Sequence, residues 1–267
     1  MPLPYDYHMH TPLCHHAVGE PIDYAEEATK KGISEIGFSE HSPMEQDDFD
    51  EWRMYLSDIN EYINKIKIAR EAFPELRIKI GLEVDYIPGY ESWIKHLKTL
   101  HNWDYFIGSV HYLDNKWDFD NPDKLDIWHS QDTFDVWRNY FGKLTQAAQS
   151  GLFHTIGHPD LCKKFAIYPK QETISLWLPF LNAVKENNIA IELNTAGNYK
   201  KCKEIYPHPE ILKHAAKMDI PLSFASDAHA PNEVGRDWNL AVKLAKECGF
   251  KQFCAFDQGE RSLLPLD

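Results

Sequence analysis

The sequence predicts an α/β fold in which parallel strands alternate with helices and close into a barrel. Three observations carry that reading. Short strand-like runs alternate with longer helix-like segments along the 267 residues. Several runs, such as FIGSV and IAIEL, are almost wholly apolar, as strands covered on both faces are. The length suits one barrel unit, so a single domain over residues 1–267 is expected.

Spacing places seven strands: Tyr5 to His10, Ser34 to Ser39, Arg77 to Val84, Tyr105 to His111, His154 to His158, Ile189 to Asn194 and Leu222 to Ser226. Helices are expected between them. Pro21 to Lys31 has proline in its first turn, where a missing N–H is harmless, and Gly32 just past its end. The others are Glu51 to Phe73, Tyr90 to Leu100, Gln131 to Ser150, Gln171 to Asn187, Pro209 to Met218 and Asn232 to Glu247. A last apolar piece, Gln252 to Phe256, reads equally as an eighth strand or as a tail packed on the barrel. The polar loop Tyr112 to His129 is the longest irregular stretch, and long loops in compact barrels often belong to a site.

Composition limits the partners. A formal charge of -13 without a dense Lys/Arg stripe repels polyphosphate backbones, so no nucleic acid partner is expected. A small anion can still bind where one concavity gathers positive charge. The five cysteines form no CxxC pair and are odd in number, which fits reduced thiols. The chain start lacks a charged region followed by an apolar run, and no apolar stretch reaches the roughly 18 residues of a membrane span. A soluble, cytoplasmic protein with no membrane partner is expected.

The stretch YDYHMHTPLCHH at Tyr5 to His16 crowds four histidines near the first strand. Residues two apart on a strand share a face, about 7 Å apart, so His8 and His10 can share an ion. His41 ends the second strand in SEH, Glu83 the third in GLEVD, His111 the fourth in GSVH and His158 the fifth in IGHPD. Asp227 and His229 follow the seventh in ASDAH. Parallel barrels bring such ends to one face, where barrel enzymes build their sites. Of the 14 histidines, His96, His101, His129, His208 and His214 fall in helices or loops and read as surface, while His154 opens a strand and reads as packing. His15 and His16 compete for one ligand place.

Seven imidazoles and two carboxylates exceed one ion's needs, so two or three ions are implied. Their mixed N/O donors suit zinc, iron or manganese better than calcium or magnesium. Three dications against two carboxylates leave about four positive charges for hydroxide and ligand to offset, which suits a phosphate dianion.

His8, His10 and His16, Glu40-His41, Glu83, His111, Gly157-His158-Pro159-Asp160 and Ser226-Asp227 with His229 together resemble the polymerase and histidinol phosphatase (PHP) superfamily over nearly the whole chain. The segments HTPLCHH, EHSP, GLEVDY, GSVHYL, GHPDLCKKF, ELNTAG and SDAH look like its monofunctional histidinol-phosphate phosphatases. The resemblance implies a distorted (β/α)7 barrel with three divalent metal ions at its mouth. It assigns His8, His10, Glu83 and Asp227 to one ion, Glu83, His111 and His158 to a second, and His16, His41 and His229 to a third, with His16 preferred to His15. The implied reaction is hydrolysis of L-histidinol phosphate by a metal-generated hydroxide, with Glu83 and Asp227 in the catalytic centre and Asp160 a candidate acid for the leaving alkoxide. Lys163, Lys164, Lys200, Arg236 and Asn194 are candidate substrate ligands, lysines standing where relatives often have arginines. Glu40 reads as orienting the ring of His41. The alternative is a PHP-type nuclease or nucleotide phosphoesterase, which the acidic composition disfavours.

Overall fold

The structure is a computed structural model that describes residues 5–113 and 117–266. Six parallel strands pair in the order β1 (Glu35–His41), β2 (Arg77–Asp85), β3 (Tyr105–Ser109), β4 (Thr155–Ile156), β5 (Ala190–Asn194) and β6 (Leu222–Ala225). The first predicted strand closes the ring. Extended residues 6–10 lie between the sheet's two edges: Gly37 and Ser39 of β1 donate to Asp6 O and Met9 O at 2.7 and 2.9 Å, while Tyr7 N and His10 N donate to Phe224 O and Ala228 O at 3.3 and 2.9 Å. Only isolated bridges form there, because each neighbour is met for a residue or two. That is the distortion in the seven-stranded barrel.

Helices α1 (Pro21–Lys31), α2 (Ile59–Ala72), α3 (Glu91–Thr99), α4 (Leu125–Ser130), α5 (Thr133–Gln149), α6 (Ile174–Glu186), α7 (Pro209–Lys217) and α8 (Trp238–Cys248) run between the strands. Helix α1 starts at Pro21 and stops before Gly32 as its sequence predicts, Gly32 taking a left-handed φ of 73° that a side chain would resist; its first turn is also capped by Asp23, which accepts from Glu20 N at 2.8 Å. Against the strands these helices bury Phe38, Ile66, Phe106, Leu144, Phe180 and Phe224 completely, each worth roughly 1.5–3 kcal/mol.

Several segments differ from expectation, and the last helix starts at Trp238, not Asn232, behind a short 3-10 turn at Pro231–Glu233. The second helix starts at Ile59, not Glu51, because Arg53 is drawn inward to Asp50 and Asp85 and residues 42–55 form a loop beside the mouth. Within the loop Tyr112 to His129, of which residues 114–116 lie outside the described set, α4 forms and buries Trp128.

The C-terminal piece makes an antiparallel hairpin, β7 (Gln252–Asp257) with β8 (Glu260–Pro265), separate from the barrel sheet. Phe256 stacks on Tyr105 with centroids 5.4 Å apart and meets Tyr7 edge-on at 5.1 Å. The Tyr105 hydroxyl reaches across to Tyr7 O and Phe38 O, at 2.7 and 3.1 Å. A Cβ on Gly37 or Gly81 would collide with that ring, so both glycines make room for this plug. Among the described residues no helix is long and apolar enough to cross a membrane.

Candidate metal centre

Parallel register sets His41 of β1 beside Glu83 of β2. His111, His158 and Asp227 each follow their strand's end by two residues. His158 and Asp227 have positive φ, 26° and 53°, which costs non-glycine residues on the order of 1–3 kcal/mol and persists only where the surroundings enforce it.

Glu83, 2% exposed, is the hub. Its Oε2 lies 3.2 Å from His8 Nε2, 2.9 Å from His41 Nδ1 and 3.7 Å from His10 Nε2. Its Oε1 lies 2.8 Å from His158 Nε2 and 3.6 Å from His111 Nε2, and accepts from Ser109 Oγ at 2.6 Å. Asp227 Oδ1 approaches His10 Nε2 at 3.4 Å and His229 Nδ1 at 3.6 Å. His16 Nε2 is 3.0 Å from His229 Nε2. The nine side chains named from the sequence therefore meet at one mouth, whereas His15 is exposed and turns its ring to Glu51 O at 3.2 Å.

The nitrogens are aimed by a ring of acceptors. His8 Nδ1 is held by Glu192 Oε1 at 2.9 Å, His10 Nδ1 by Glu40 Oε1 at 3.3 Å, His111 Nδ1 by Asp85 Oδ1 at 2.8 Å, and His16 Nδ1 by Cys14 O at 2.8 Å. With Nδ1–H donated outward, Nε2 keeps its lone pair for the mouth. Glu40 thus orients the ring of His10; from His41 it accepts only the backbone N–H, at 2.8 Å.

Residues of this kind fit divalent metal. His8 Nε2 and His10 Nε2 are buried without a hydrogen-bond partner. Donor atoms of His8, His10 and Asp227, of His8, Glu83 and His158, and of His10, His41 and His229 lie within 4.8 Å of one another. The last group brings in His10 beside the His41 and His229 pair expected with His16. His16 and His229 also approach Cys14, whose Sγ–H is donated to Thr11 O at 3.1 Å.

Protonation follows the same geometry. Burial opposes charge on His8, yet Glu192 and Glu83 raise its pKa well above the usual range. Burial likewise opposes ionisation of Glu83, yet His8, His41 and His111 hold its pKa well below the carboxylate range. Burial, with the charge of His10, drives His41 well below the ordinary histidine value. Entering cations displace protons from such imidazoles, so metal affinity falls with acid.

The mouth opens on a cavity of about 620 Å³, lined also by Trp52, Lys164, Lys200 and Arg236. Lys164 Nζ is 2.8 Å from Asp120. Arg236 sits over the Tyr199 ring at 4.5 Å and donates to Ser226 O at 3.1 Å, so it is part of the wall of the mouth.

Three of the sequence candidates for substrate binding or proton transfer do not line this cavity. The Lys163 ammonium is buried against Ile205 O at 2.9 Å and Asp160 Oδ2 at 3.0 Å. Asp160, left-handed at φ 72°, turns its carboxylate to that lysine and to His208 N, at 2.7 Å, so it is not placed to protonate a leaving group at the mouth. Asn194 accepts from Ala196 N at 2.9 Å and donates to Glu192 at 3.3 Å, capping the turn after β5. Conversely, sequence reasoning missed Glu192 and Asp85. An acid inside the apolar run IAIELN, and one two residues beyond Glu83, were the available signals.

A barrel carrying this imidazole–carboxylate mouth defines a metal-dependent hydrolase class, and the chain belongs to the PHP domain family, whose model matches residues 6–196. It is 40% identical over 245 residues to the Deinococcus radiodurans protein named probable histidinol-phosphatase, covering 91% of this chain and 93% of that one. It is 32% identical to the histidinol-phosphatase of Bacillus subtilis, covering 86% and 95%. The crystal structure of histidinol phosphate phosphatase from Lactococcus lactis, complexed with zinc, L-histidinol and phosphate, superposes with a TM-score of 0.84 at 22% identity, covering 98% of this chain and 100% of that one. The fold is therefore the PHP barrel, and the chain is a phosphatase by its similarity to these relatives.

Proposed function

We propose that this chain hydrolyses L-histidinol phosphate to L-histidinol and phosphate, holding three divalent ions, zinc, iron or manganese, among His8, His10, His16, His41, Glu83, His111, His158, Asp227 and His229. The observation that carries the reading is one cavity lined both by imidazoles and carboxylates and by Lys164, Lys200 and Arg236. Names borne by relatives at 40% and 32% identity select the substrate.

Bound dications neutralise phosphoryl oxygens and make water acidic enough to be a nucleophile near neutral pH. The chain's own residues do the rest. Lys164, Lys200 and Arg236 hold nonbridging oxygens, while Asp118, Asp120 and Glu233 at the same mouth suit the substrate's ammonium group. The five cysteines are buried thiols without a disulfide, which supports a reducing, cytoplasmic setting, and the acidic surface supports a small-molecule partner over nucleic acid.

The test is metal analysis of the purified protein with a panel of phosphomonoesters and a single-stranded oligonucleotide. Expected are bound transition metal, the highest kcat/KM on histidinol phosphate, and activity lost on chelation and restored by metal. Faster hydrolysis of the oligonucleotide would favour the nuclease reading instead.

A further inference from the structure

The loop of residues 42–55 starts and finishes on the metal centre. Where it leaves β1, Ser42 N donates to Glu83 O at 2.8 Å, and where it returns, Met54 N donates to His41 O at 3.3 Å. Between those two anchors it carries Trp52 and Arg53. Trp52 lines the mouth, its ring perpendicular to those of His41 and His111 with centroids 4.9 and 5.6 Å away.

Arg53 is 2% exposed, and every arm of its guanidinium is taken. Nη1 donates to Ser42 O at 3.0 Å, Nε to Asp50 Oδ2 at 2.7 Å and Nη2 to Asp85 Oδ2 at 3.0 Å. Asp85 turns its other oxygen to the metal centre, accepting from His111 Nδ1 at 2.8 Å and from His111 N at 3.2 Å. The carboxylate torsion of an aspartate is broad, so a group held on one oxygen alone still rotates. Held on both, it fixes the direction in which the imidazole is presented. The same guanidinium lies over the Trp52 ring at 4.6 Å, and that ring stacks on Tyr112, so one cation also seats the wall of the mouth.

With His111 a metal ligand, as proposed above, we infer that Arg53 is a positioning residue of the metal centre: through Asp85 it aims Nε2 of His111 inward, and through Trp52 it walls the mouth beside His41 and His111. Full metal affinity then requires the docked loop, and bound metal holds the loop down by the same factor.

The test uses the full chain, stripped of metal and titrated with zinc against a chromophoric chelator. Lysine offers a point charge that does not span Asp50, Asp85 and Ser42 O together, so Arg53→Lys should lose roughly tenfold in affinity for one ion, the low end for a group that orients a metal-binding histidine. Asp50→Asn keeps an acceptor for Nε and leaves the Asp85 contact in place, so zinc affinity should match wild type. Asp85→Asn should lose at least as much as Arg53→Lys, and the double variant no more than Asp85→Asn alone. The wild type reads the coupling without any substitution: zinc should slow hydrogen exchange at Ser42 and Met54 by a comparable factor while leaving the β7–β8 hairpin unmoved. Wild-type affinity in Arg53→Lys, equal losses in Arg53→Lys and Asp50→Asn, additive losses in the double variant, or loop exchange indifferent to zinc overturns the inference. A wild type that takes up no zinc overturns the metal centre and the inference with it, and none of these readings needs a substrate.

Discussion

Replacing Glu192 by glutamine should cost the centre much of its metal affinity although Glu192 need touch no ion. Its carboxylate, 1% exposed, accepts from His8 Nδ1 at 2.9 Å on Oε1, and on Oε2 from His158 N at 3.0 Å and Asn194 Nδ2 at 3.3 Å. An amide has one acceptor oxygen and one donor nitrogen. If the oxygen serves His158 N, the NH2 group faces His8 Nδ1. Either an N–H is then left unsatisfied, or His8 changes tautomer and puts its proton on Nε2, where the lone pair is needed. A buried unmet donor costs about 1–3 kcal/mol, or roughly 5- to 150-fold in affinity. Competition against a chromophoric chelator at neutral pH measures this directly, with urea denaturation confirming that the fold survives. Activity should return at high metal concentration. An affinity within twofold of wild type would refute the orienting role assigned to Glu192.

Other consequences are equally open to measurement. Arg53→Met leaves Asp85, buried beside His111, and the half-buried Asp50 without their cation, 3.0 Å away in the case of Asp85; urea denaturation should show a loss of about 3–5 kcal/mol, and no loss would show the pair to be dispensable. Lys200 is pushed below the usual lysine pKa by burial and by Lys164, so KM should rise with alkaline pH earlier than for a free lysine; Lys200→Arg, always charged, should move that limb upward, and an unmoved profile would remove Lys200 from phosphate binding. His154, which accepts from Phe106 N at 2.8 Å, is lowered to about 4 by burial and by Lys98. The unfolded chain binds its proton below about 6.5, so this contribution is complete above that pH and is lost as pH falls towards 4. His154→Asn keeps an acceptor and cannot charge, so its stability should decline less than wild type between pH 6 and pH 4 in thermal unfolding; a parallel decline would contradict this.

Alternation of strands and helices is legible in the residues alone, and with it the convergence of His8, His10, His41, Glu83, His111, His158, Asp227 and His229; the choice of His16 over His15 needed the family resemblance. Strand ends are marked by apolar runs, and a parallel barrel leaves their C-terminal ends only one face to occupy. The residues alone also placed the α1 boundaries, because proline and glycine restrict φ locally. Tertiary structure alone decided what lies between those landmarks. Arg53 reads as helix by its neighbours, but ion pairing with Asp85, distant in sequence, outweighs local propensity. Asp160, Lys163 and Lys164 are equally eligible for the mouth in sequence, yet a left-handed turn sends the first two away from the cavity and leaves the third in its wall. Glu192 and Asp85 look like stray acids until the histidines that need orienting are packed against them. Periodicity fixes which face of an element is buried, whereas a side chain's partner across the barrel depends on register and turn geometry that no single segment contains.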